Sequence, residues 1–243
     1  MAGHSKWANI KRRKGAQDAK RGKVFTKLIR EIWVAAKEGG PDPEANPRLR
    51  LAIQNAKGQN MPKENIQRAI EKGTGGDDDD FESITYEGYA AHGVAIFLEC
   101  LTDNQNRTVA TIRNLFSKAG GNLAKNGSVD YLFDRKGIFE VILPEPDEDL
   151  LLQLIDAGAE EAEFQDGYLH ITCAMEDFGN MQHEVDSLNL EVENAELQRI
   201  PKTTMELSVD QRDSVLKLID QFEDEDDVQK VFHNLEWGEE QLV

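Results

Sequence analysis

The chain has 243 residues, 39% hydrophobic and 30% charged, a composition typical of a soluble globular protein with room for two or three domains. No apolar run approaches the roughly 20 residues of a membrane span. The basic N-terminus lacks the apolar segment of a signal peptide, and no membrane partner is expected. The net charge of −18 is unevenly divided: residues 1–75 hold 17 Lys and Arg against 7 Asp and Glu, and residues 76–243 hold 11 against 39.

This division separates a basic head (residues 1–75) from an acidic body (residues 76–243). Such an asymmetry indicates a polyanion, most often nucleic acid, as the partner. Because the head attracts phosphates and the body repels them, the charge distribution determines which end of the protein docks.

The head is predicted to form three helices after an N-terminal arm. Residues 3–23 have too few apolar side chains for a helix that is stable by itself, whereas two apolar rows begin at Val24. Glycines and a proline end this helix, an Asn-Pro pair caps and opens the next, and another proline opens the third. The residues concerned are Gly39, Gly40 and Pro41, then Asn46 and Pro47, then Pro62, with Gly73 as the last stop.

The body is predicted to alternate short strands and helices, which is typical of α+β sandwiches. Thr74, Gly75, Gly76 and the run Asp77–Asp80 form the linker before it, and a divalent-metal site on the four aspartates is the sharper alternative. The predicted strands are Ile84–Tyr86, Val94–Leu101, Val129–Phe133, Gly137–Leu143, Tyr168–Cys173 and Glu193–Arg199. The predicted helices are Arg107–Lys118, Asp147–Ala157, Met175–Leu188 and a last one opened by a capping box of Ser208 and Gln211.

A faint internal echo connects two parts of the body. GVAIFLECL leads to a helix that ends in KAGG, and GIFEVIL leads to a helix that ends in DAGA. This similarity is consistent with two related ferredoxin-like units.

No catalytic constellation is evident, so we predict a non-enzymatic protein with no cofactor and no bound metal. The five histidines form no HExxH motif or Cys/His cluster, and no Gly-rich phosphate loop is present. Cys100 and Cys173 lie in strand-like apolar runs, and we interpret them as reduced core thiols rather than as a disulfide.

The cations of the arm and first helix are the predicted nucleic-acid contacts. Few of them have an acidic residue four positions away with which to pair, and six to ten phosphate contacts would make binding steeply salt-dependent. The alternative is a solvated surface balanced by acidic groups, including the body itself docking intramolecularly. The ten residues are Lys6, Lys11, Arg12, Arg13, Lys14, Lys20, Arg21, Lys23, Lys27 and Arg30.

Further contacts are predicted at His4, Trp7, Arg48, Arg50, Lys57 and Arg107. Trp7 either stacks on an unpaired base or, in the commoner role of a lone tryptophan, anchors the arm to its domain. Arg107 lies in a strand-to-helix turn, where it either reaches a phosphate or takes part in ordinary turn chemistry. Composition alone leaves both duplex DNA and structured RNA open as the polyanion.

Several segments of the chain resemble the YebC/PmpR family. They are AGHSKWANIKRRKGAQDAKRGKVFTKLIREI, NMPKENIQRAIEKGTG, YEGY, LTDNQNRT and GSVxYLF, and the similarity covers essentially the whole chain. The resemblance implies a three-domain cytoplasmic protein without enzymatic activity. The expected organisation is an N-terminal three-helix domain (1–80) and two ferredoxin-like α+β domains, one of which (135–203) is inserted in the other (81–134 plus 204–243).

The resemblance also implies function. Family members are commonly described as transcriptional regulators that bind promoter DNA, whereas others resemble translation factors that act on ribosomes, particularly at stalls on proline-rich stretches. The leading hypothesis is therefore a nucleic-acid-binding regulator that docks through the head, and a factor that binds ribosomal RNA is the alternative. A third hypothesis, from the charge of the body, is an acidic adaptor that recruits a basic protein. We expect a monomer.

The sequence departs from the family pattern at two turns. Ala90, Ala91, His92 and Gly93 follow YEGY where the family usually has a Gly/Pro-rich turn, and Ala124 stands where glycine is usual. Both departures are expected to limit backbone freedom.

Overall fold

The computed structural model describes residues 21–75 and 81–236. Within these ranges, none of the helices has the length and apolar character needed to cross a membrane. The described residues divide into two compact units, one made of 21–27, 81–134 and 200–236 and the other of 28–75 and 135–199. The mixed α and α+β class is confirmed, whereas the boundaries of the three predicted domains stay a prediction.

Three helices form the described part of the head. They are α1 (Arg21–Gly39), α2 (Pro47–Gly58) and α3 (Lys63–Thr74). The predicted glycine stop of α3 is wrong, because Gly73 lies inside the helix and Gly75 is its C-cap. Gly73 is buried there so closely to α1 that an added Cβ would meet the carbonyl oxygen of Trp33 at 2.5 Å.

Asn46 connects the first two helices, as the predicted N-cap. Its side-chain oxygen accepts from the Leu49 N–H at 3.1 Å, and its amide nitrogen donates to the Ala35 and Gly40 carbonyls at 2.7 and 2.9 Å. One buried side chain therefore satisfies the unpaired groups at the end of α1 and at the start of α2.

The body contains eight strands and four α-helices in its described part. In chain order they are β1 (Glu82–Tyr89), β2 (Ala95–Thr102), α4 (Gln105–Lys118), β3 (Asn122–Leu123), β4 (Phe133–Ile142), α5 (Glu148–Asp156), β5 (Ala159–Gln165), β6 (Tyr168–Ala174), α6 (Phe178–Ser187), β7 (Glu191–Pro201), α7 (Val209–Asp224) and β8 (Val228–His233).

These strands form two antiparallel sheets of four. The first sheet has the order β3-β1-β2-β8, and the second has the order β5-β6-β4-β7. Helices α4 and α7 cover one face of the first sheet, where Phe116 and Phe222 meet with ring centroids 4.8 Å apart. In the second sheet, Phe139, Leu169 and Ile171 form the core with residues of α5 and α6.

Two sequence predictions in the body are wrong. Residues 129–133 were expected to be a strand, but 130–132 form a 3-10 turn and β4 begins only at Phe133. Strand β5 was not predicted, because its sequence AEEAEFQ carries three glutamates and has low strand propensity. It forms as an edge strand, where charged side chains remain in solvent.

Helix α2 lies against the edge of the second sheet formed by β7. The Asn55 amide donates to the carbonyl of Ala195 at 2.9 Å and accepts from its N–H at 3.0 Å, so one side chain pairs with both backbone groups as a neighbouring strand would. Gly58 lies so close to β7 that an added Cβ would overlap the carbonyl oxygen of Glu193. The contact therefore requires glycine at this position.

We expect Gly58→Ala to destabilise this unit by about 1–3 kcal/mol, since overpacking a close backbone contact costs this much. Gly179→Ala is the matched control, because Gly179 also lies in a helix but has open space around it. The control should gain up to about 1 kcal/mol from helix propensity. Urea unfolding of both variants tests the pair, and equal shifts would contradict the close contact.

Both cysteines are free and buried, as predicted from their apolar surroundings. Burial, with a smaller contribution from Asp227, raises the pKa of the Cys100 thiol to about 12. Burial likewise raises the pKa of Cys173 to about 11, with Asp177 adding to the effect. Because the thiolate is the reactive form, neither side chain is a nucleophile at neutral pH.

The native protein should therefore resist Ellman's reagent at pH 8, and both thiols should react once guanidinium unfolds the chain. Absorbance at the wavelength of the released thiolate counts the reactive groups. Rapid reaction of either thiol in the native state would show that its burial is not maintained in solution.

Candidate nucleic-acid interface

Most of the predicted arm contacts fall in the N-terminal residues that precede α1. Lys6, Lys11, Arg12, Arg13, Lys14 and Lys20, together with His4 and Trp7, lie outside the described residues. Arg21 begins α1, and Lys23, Lys27 and Arg30 follow along this helix. The role of these ten cations, His4 and Trp7 in nucleic-acid binding therefore stays a prediction.

Lys23 and Lys27 hold the C-terminal end of α7. The Lys23 ammonium donates to the carbonyl of Asp224 at 3.0 Å and lies 3.3 Å from Oδ1 of the same residue. The Lys27 ammonium donates to the carbonyl of Glu223 at 2.9 Å. These two carbonyls belong to the last turn of α7, which has no partner for them within the helix.

The sequence of α7 explains why it recruits lysines. Its last turn contains acidic residues and no basic one, although the helix dipole places negative charge at this end. The ammonium groups of Lys23 and Lys27 offset the negative charge of the acidic side chains and the negative end of the helix dipole. Pairing of the head cations with the acidic body is the predicted alternative to nucleic-acid contact. Lys23 and Lys27, two of the ten predicted cations, make such a pairing.

The arginines of α2 are paired inside the head. Arg48 Nε donates to Glu31 at 2.8 Å and its Nη1 donates to Glu38 at 2.5 Å, while Arg50 Nη1 lies 3.9 Å from Glu44. All these groups are partly exposed, so solvent screens the pairs. A phosphate reaching Arg48 must compete with two carboxylates, whereas Lys57 at the end of the same helix is exposed.

Trp33 organises a pair of lysines that the sequence did not single out. Its ring is buried, and the ammonium groups of Lys37 and Lys72 lie 5.3 and 5.9 Å from the ring centroid. These distances are typical of cation–π contacts. The signal was available only as the i+4 spacing of Trp33 and Lys37, because Lys72 comes from α3.

Arg107 is held by two carboxylates in the turn between β2 and α4. Its Nη2 lies 2.8 Å from Asp227 and 2.6 Å from Asp103, and these hydrogen bonds raise the pKa of the guanidinium. The Thr108 hydroxyl donates to the same Asp227 oxygen at 2.7 Å. Asn104 caps α4 by accepting from the Arg107 N–H at 3.0 Å. The motif LTDNQNRT therefore builds a polar network around Asp227.

The buried carboxylate of Glu87 holds the loop that contains GSVxYLF. Its two oxygens accept from the backbone N–H groups of Gly127 and Val129, each at 2.6 Å, and from Asp130 at 3.1 Å. The neighbouring Tyr89 donates to the carbonyl of Ser128 at 2.9 Å. Sequence reasoning missed Glu87 and Asp227, because nothing local distinguishes them from the many solvated acids of the body.

YEGY also requires its glycine. A Cβ at Gly88 would lie 2.6 Å from the Phe116 ring and 2.6 Å from the carbonyl oxygen of Asn122. Gly88 therefore allows α4 and β3 to approach β1 closely. The four residues of this motif fold the body, and their described contacts lie within it.

The two departures from the family pattern have different consequences. His92 adopts a positive φ of 65°, a conformation that favours glycine, and Gly93 follows with a φ of 85°. Ala124 does not have a positive φ, and its N–H donates to the carbonyl of Glu87 at 2.7 Å. The expected limit on backbone freedom thus applies at His92, while Ala124 fits its turn.

No group of three or more His, Cys, Asp or Glu side chains in residues 21–75 and 81–236 is arranged to hold a metal ion. The candidate aspartates Asp77–Asp80 lie outside these ranges.

The family comparison agrees with the motifs. Residues 5–76 match the TACO1/YebC protein N-terminal domain, and residues 81–235 match the TACO1/YebC second and third domain. The chain belongs to the TACO1/YebC family. The join between the two matches falls in the predicted aspartate linker.

Relatives of known sequence match the TACO1/YebC chain over almost its full length. A protein of Amoebophilus asiaticus, named a probable transcriptional regulatory protein, is 59% identical over 97% of this chain and 98% of its own. The probable transcriptional regulatory protein YebC of Escherichia coli is 49% identical over 99% and 98%. A crystal structure of a conserved hypothetical protein from Aquifex aeolicus is 44% identical, with a TM-score of 0.80 over 91% of this chain and 93% of that one.

Replacing Glu87 tests the carboxylate under the GSVxYLF loop. Glu87→Gln turns one acceptor into an amide N–H that faces backbone donors, so the free energy of unfolding should fall by at least about 2 kcal/mol. Exposed Glu206→Gln removes the same charge and should change it by less than about 0.5 kcal/mol. Thermal and urea unfolding give both values, and a stability loss shared by the two variants would refute the anchoring role.

Proposed function

We propose that this protein is a non-enzymatic, nucleic-acid-binding regulator of gene expression that docks through its basic head. The observation that carries the proposal is the charge division of the chain. Residues 1–75 hold 17 Lys and Arg against 7 Asp and Glu, whereas residues 76–243 hold 11 against 39. A surface of this kind binds phosphates by releasing counterions. The names of the relatives, probable transcriptional regulatory proteins, support a regulatory role.

The pairing of the described cations points to residues 1–20 as the main contact. These residues carry six of the ten proposed cations and one acidic residue. Lys23, Lys27 and Arg48 already have carbonyl or carboxylate partners, so a phosphate gains less from them. Affinity is therefore assigned first to Lys6, Lys11, Arg12, Arg13, Lys14 and Lys20, and second to the helix cations.

Promoter DNA is the leading target, because it agrees with the regulatory names of the relatives. The ion pairs of α2 favour the ribosome as a second candidate. Arg48 and Arg50 are engaged by carboxylates of the head rather than extended as a row of base-reading side chains. Binding by charge and shape, without base contacts, suits structured RNA.

Charge reversal tests the docking end of the protein. We expect replacement of Lys11, Arg12, Arg13 and Lys14 by Glu to lower affinity for duplex DNA and for ribosomal RNA at least tenfold, and to reduce the salt slope by about three or four. The matched control replaces four exposed body cations, Arg113, Lys118, Lys125 and Lys217, by Glu, which gives the same net charge. The control should retain its affinity within about threefold.

Fluorescence anisotropy over a salt series measures both variants against the unchanged chain. Equal losses in the two would mean that net charge alone drives binding, and no loss in the arm variant would reject docking through the head. Sedimentation of lysate through a sucrose gradient then separates the targets. Co-migration with ribosomes at low salt favours the translation factor, whereas a promoter preference that survives added salt favours the DNA regulator.

A further inference from the structure

One surface of the body combines strong negative charge with exposed apolar side chains. Residues 137–198 contain 17 Asp and Glu and not a single Lys or Arg. This stretch supplies α5, β5, β6, α6 and most of β4 and β7. Lys136, which precedes the stretch, pairs with Glu160 of β5 at 2.5 Å, and the remaining excess of carboxylates produces a field that favours basic partners.

Within this acidic surface, Leu152 and Ile155 of α5 are 59% and 56% exposed. They lie three residues apart and therefore share a helix face. The opposite face of α5 is already used, because Leu154 is fully buried in the core. Leu152 and Ile155 thus make a second apolar face that the fold does not need.

Phe164 of β5 is a further exposed apolar side chain of this unit, with 39% of its surface exposed. It pairs with Leu169 of β6, and it is two residues from Ala162, which packs into the core beneath the helices. Side chains two residues apart point to the same side of a sheet. Phe164 therefore lies on the side of the second sheet that carries α5.

The two edges of the second sheet differ in what covers them. Asn55 of α2 occupies the edge formed by β7, as described above. The other edge is β5, and no described strand pairs with its outer side. Asp149 and Asp156 are exposed on α5 and lie three and four residues from Leu152, so they flank it on the helix surface.

We propose that this acidic apolar face, made of Leu152 and Ile155 with Asp149 and Asp156, and with Phe164 on the same side of the second sheet, docks a basic amphipathic segment of a partner protein. The charge decides between possible occupants. Phosphates of nucleic acids and anionic lipids are repelled, and so is a second copy of the same acidic face. A segment with an apolar ridge flanked by Lys or Arg satisfies both the exposed side chains and the carboxylates.

The proposal goes beyond nucleic-acid binding by the head and does not depend on it. It assigns a recruiting role to α5 and β5 of the body, in addition to the nucleic-acid binding proposed for the head. The two activities involve different residues and opposite charges.

A synthetic probe tests the face with the full-length chain. The probe is a labelled 14-residue peptide of Leu and Lys with an amphipathic helical pattern, and the control peptide has the same composition in scrambled order. We expect the patterned peptide to bind at least about tenfold more tightly, because only it presents a continuous apolar ridge.

Substitutions then locate the contact. Leu152→Gln with Ile155→Gln should lower affinity for the patterned peptide about tenfold. Val209→Gln is the matched control, since Val209 is 58% exposed on α7 of the first sheet, and it should change affinity less than twofold. Asp149→Asn with Asp156→Asn should weaken binding at low salt and have little effect at high salt.

Three outcomes would overturn the proposal. Equal binding of the scrambled peptide, or an equal loss in Val209→Gln, would mean non-specific attraction to an acidic protein. Concentration-dependent dimerisation that Leu152→Gln abolishes would assign the face to a second copy of the chain. Loss of DNA or RNA affinity in the Leu152→Gln, Ile155→Gln variant would assign it to nucleic acid. If the head variants do not affect nucleic-acid binding, the proposed function fails, but the proposal that this face binds a basic segment is unaffected.

Discussion

Attraction between opposite charges on one chain is the constraint on which the rest of this structure depends. A head rich in cations and a body rich in carboxylates would neutralise each other if every charge were available. The described part limits this loss by local pairing. Arg48 is matched by Glu31 and Glu38 inside the head, and Lys23 and Lys27 pair with residues of α7.

The motifs that carry the family resemblance serve the fold wherever they are described. Glu87 of YEGY holds the backbone of the GSVxYLF loop, and Asp227 gathers Arg107 and Thr108 of LTDNQNRT. Each is a buried or half-buried carboxylate with several donors, an arrangement that rigidifies a surface loop. The described part of the long basic block behaves in the same way, because Lys23 and Lys27 bind the last turn of α7 and Ile32 is buried.

Local chemistry explains which elements were predictable from the sequence. Asn46 and Ser208 are strong helix caps, and the structure confirms both, including the Ser208–Gln211 capping box. Buried strands such as β2 and β6 are apolar runs and were predicted. The glutamate-rich β5 was missed, because it forms by pairing with β6 and not through its own strand propensity. The anchors Glu87, Asn55 and Asp227 act over long sequence separations. A single sequence contains no signal that would distinguish them from neighbouring polar residues.

Contacts between residues far apart in the sequence, such as Lys23 with Asp224 and Asn55 with Ala195, have a consequence for the time course of synthesis. Asn55 and Ala195 are 140 positions apart, and Lys23 precedes its partner Asp224 by 201. At about 5–20 residues per second, the ribosome needs roughly 10–40 s to add 201 residues. During that interval the nascent head has emerged, while the last turn of α7, which later binds Lys23 and Lys27, does not yet exist. Every newborn copy thus passes through a stage in which its cations are at their most exposed, beside the RNA of the ribosome that makes it.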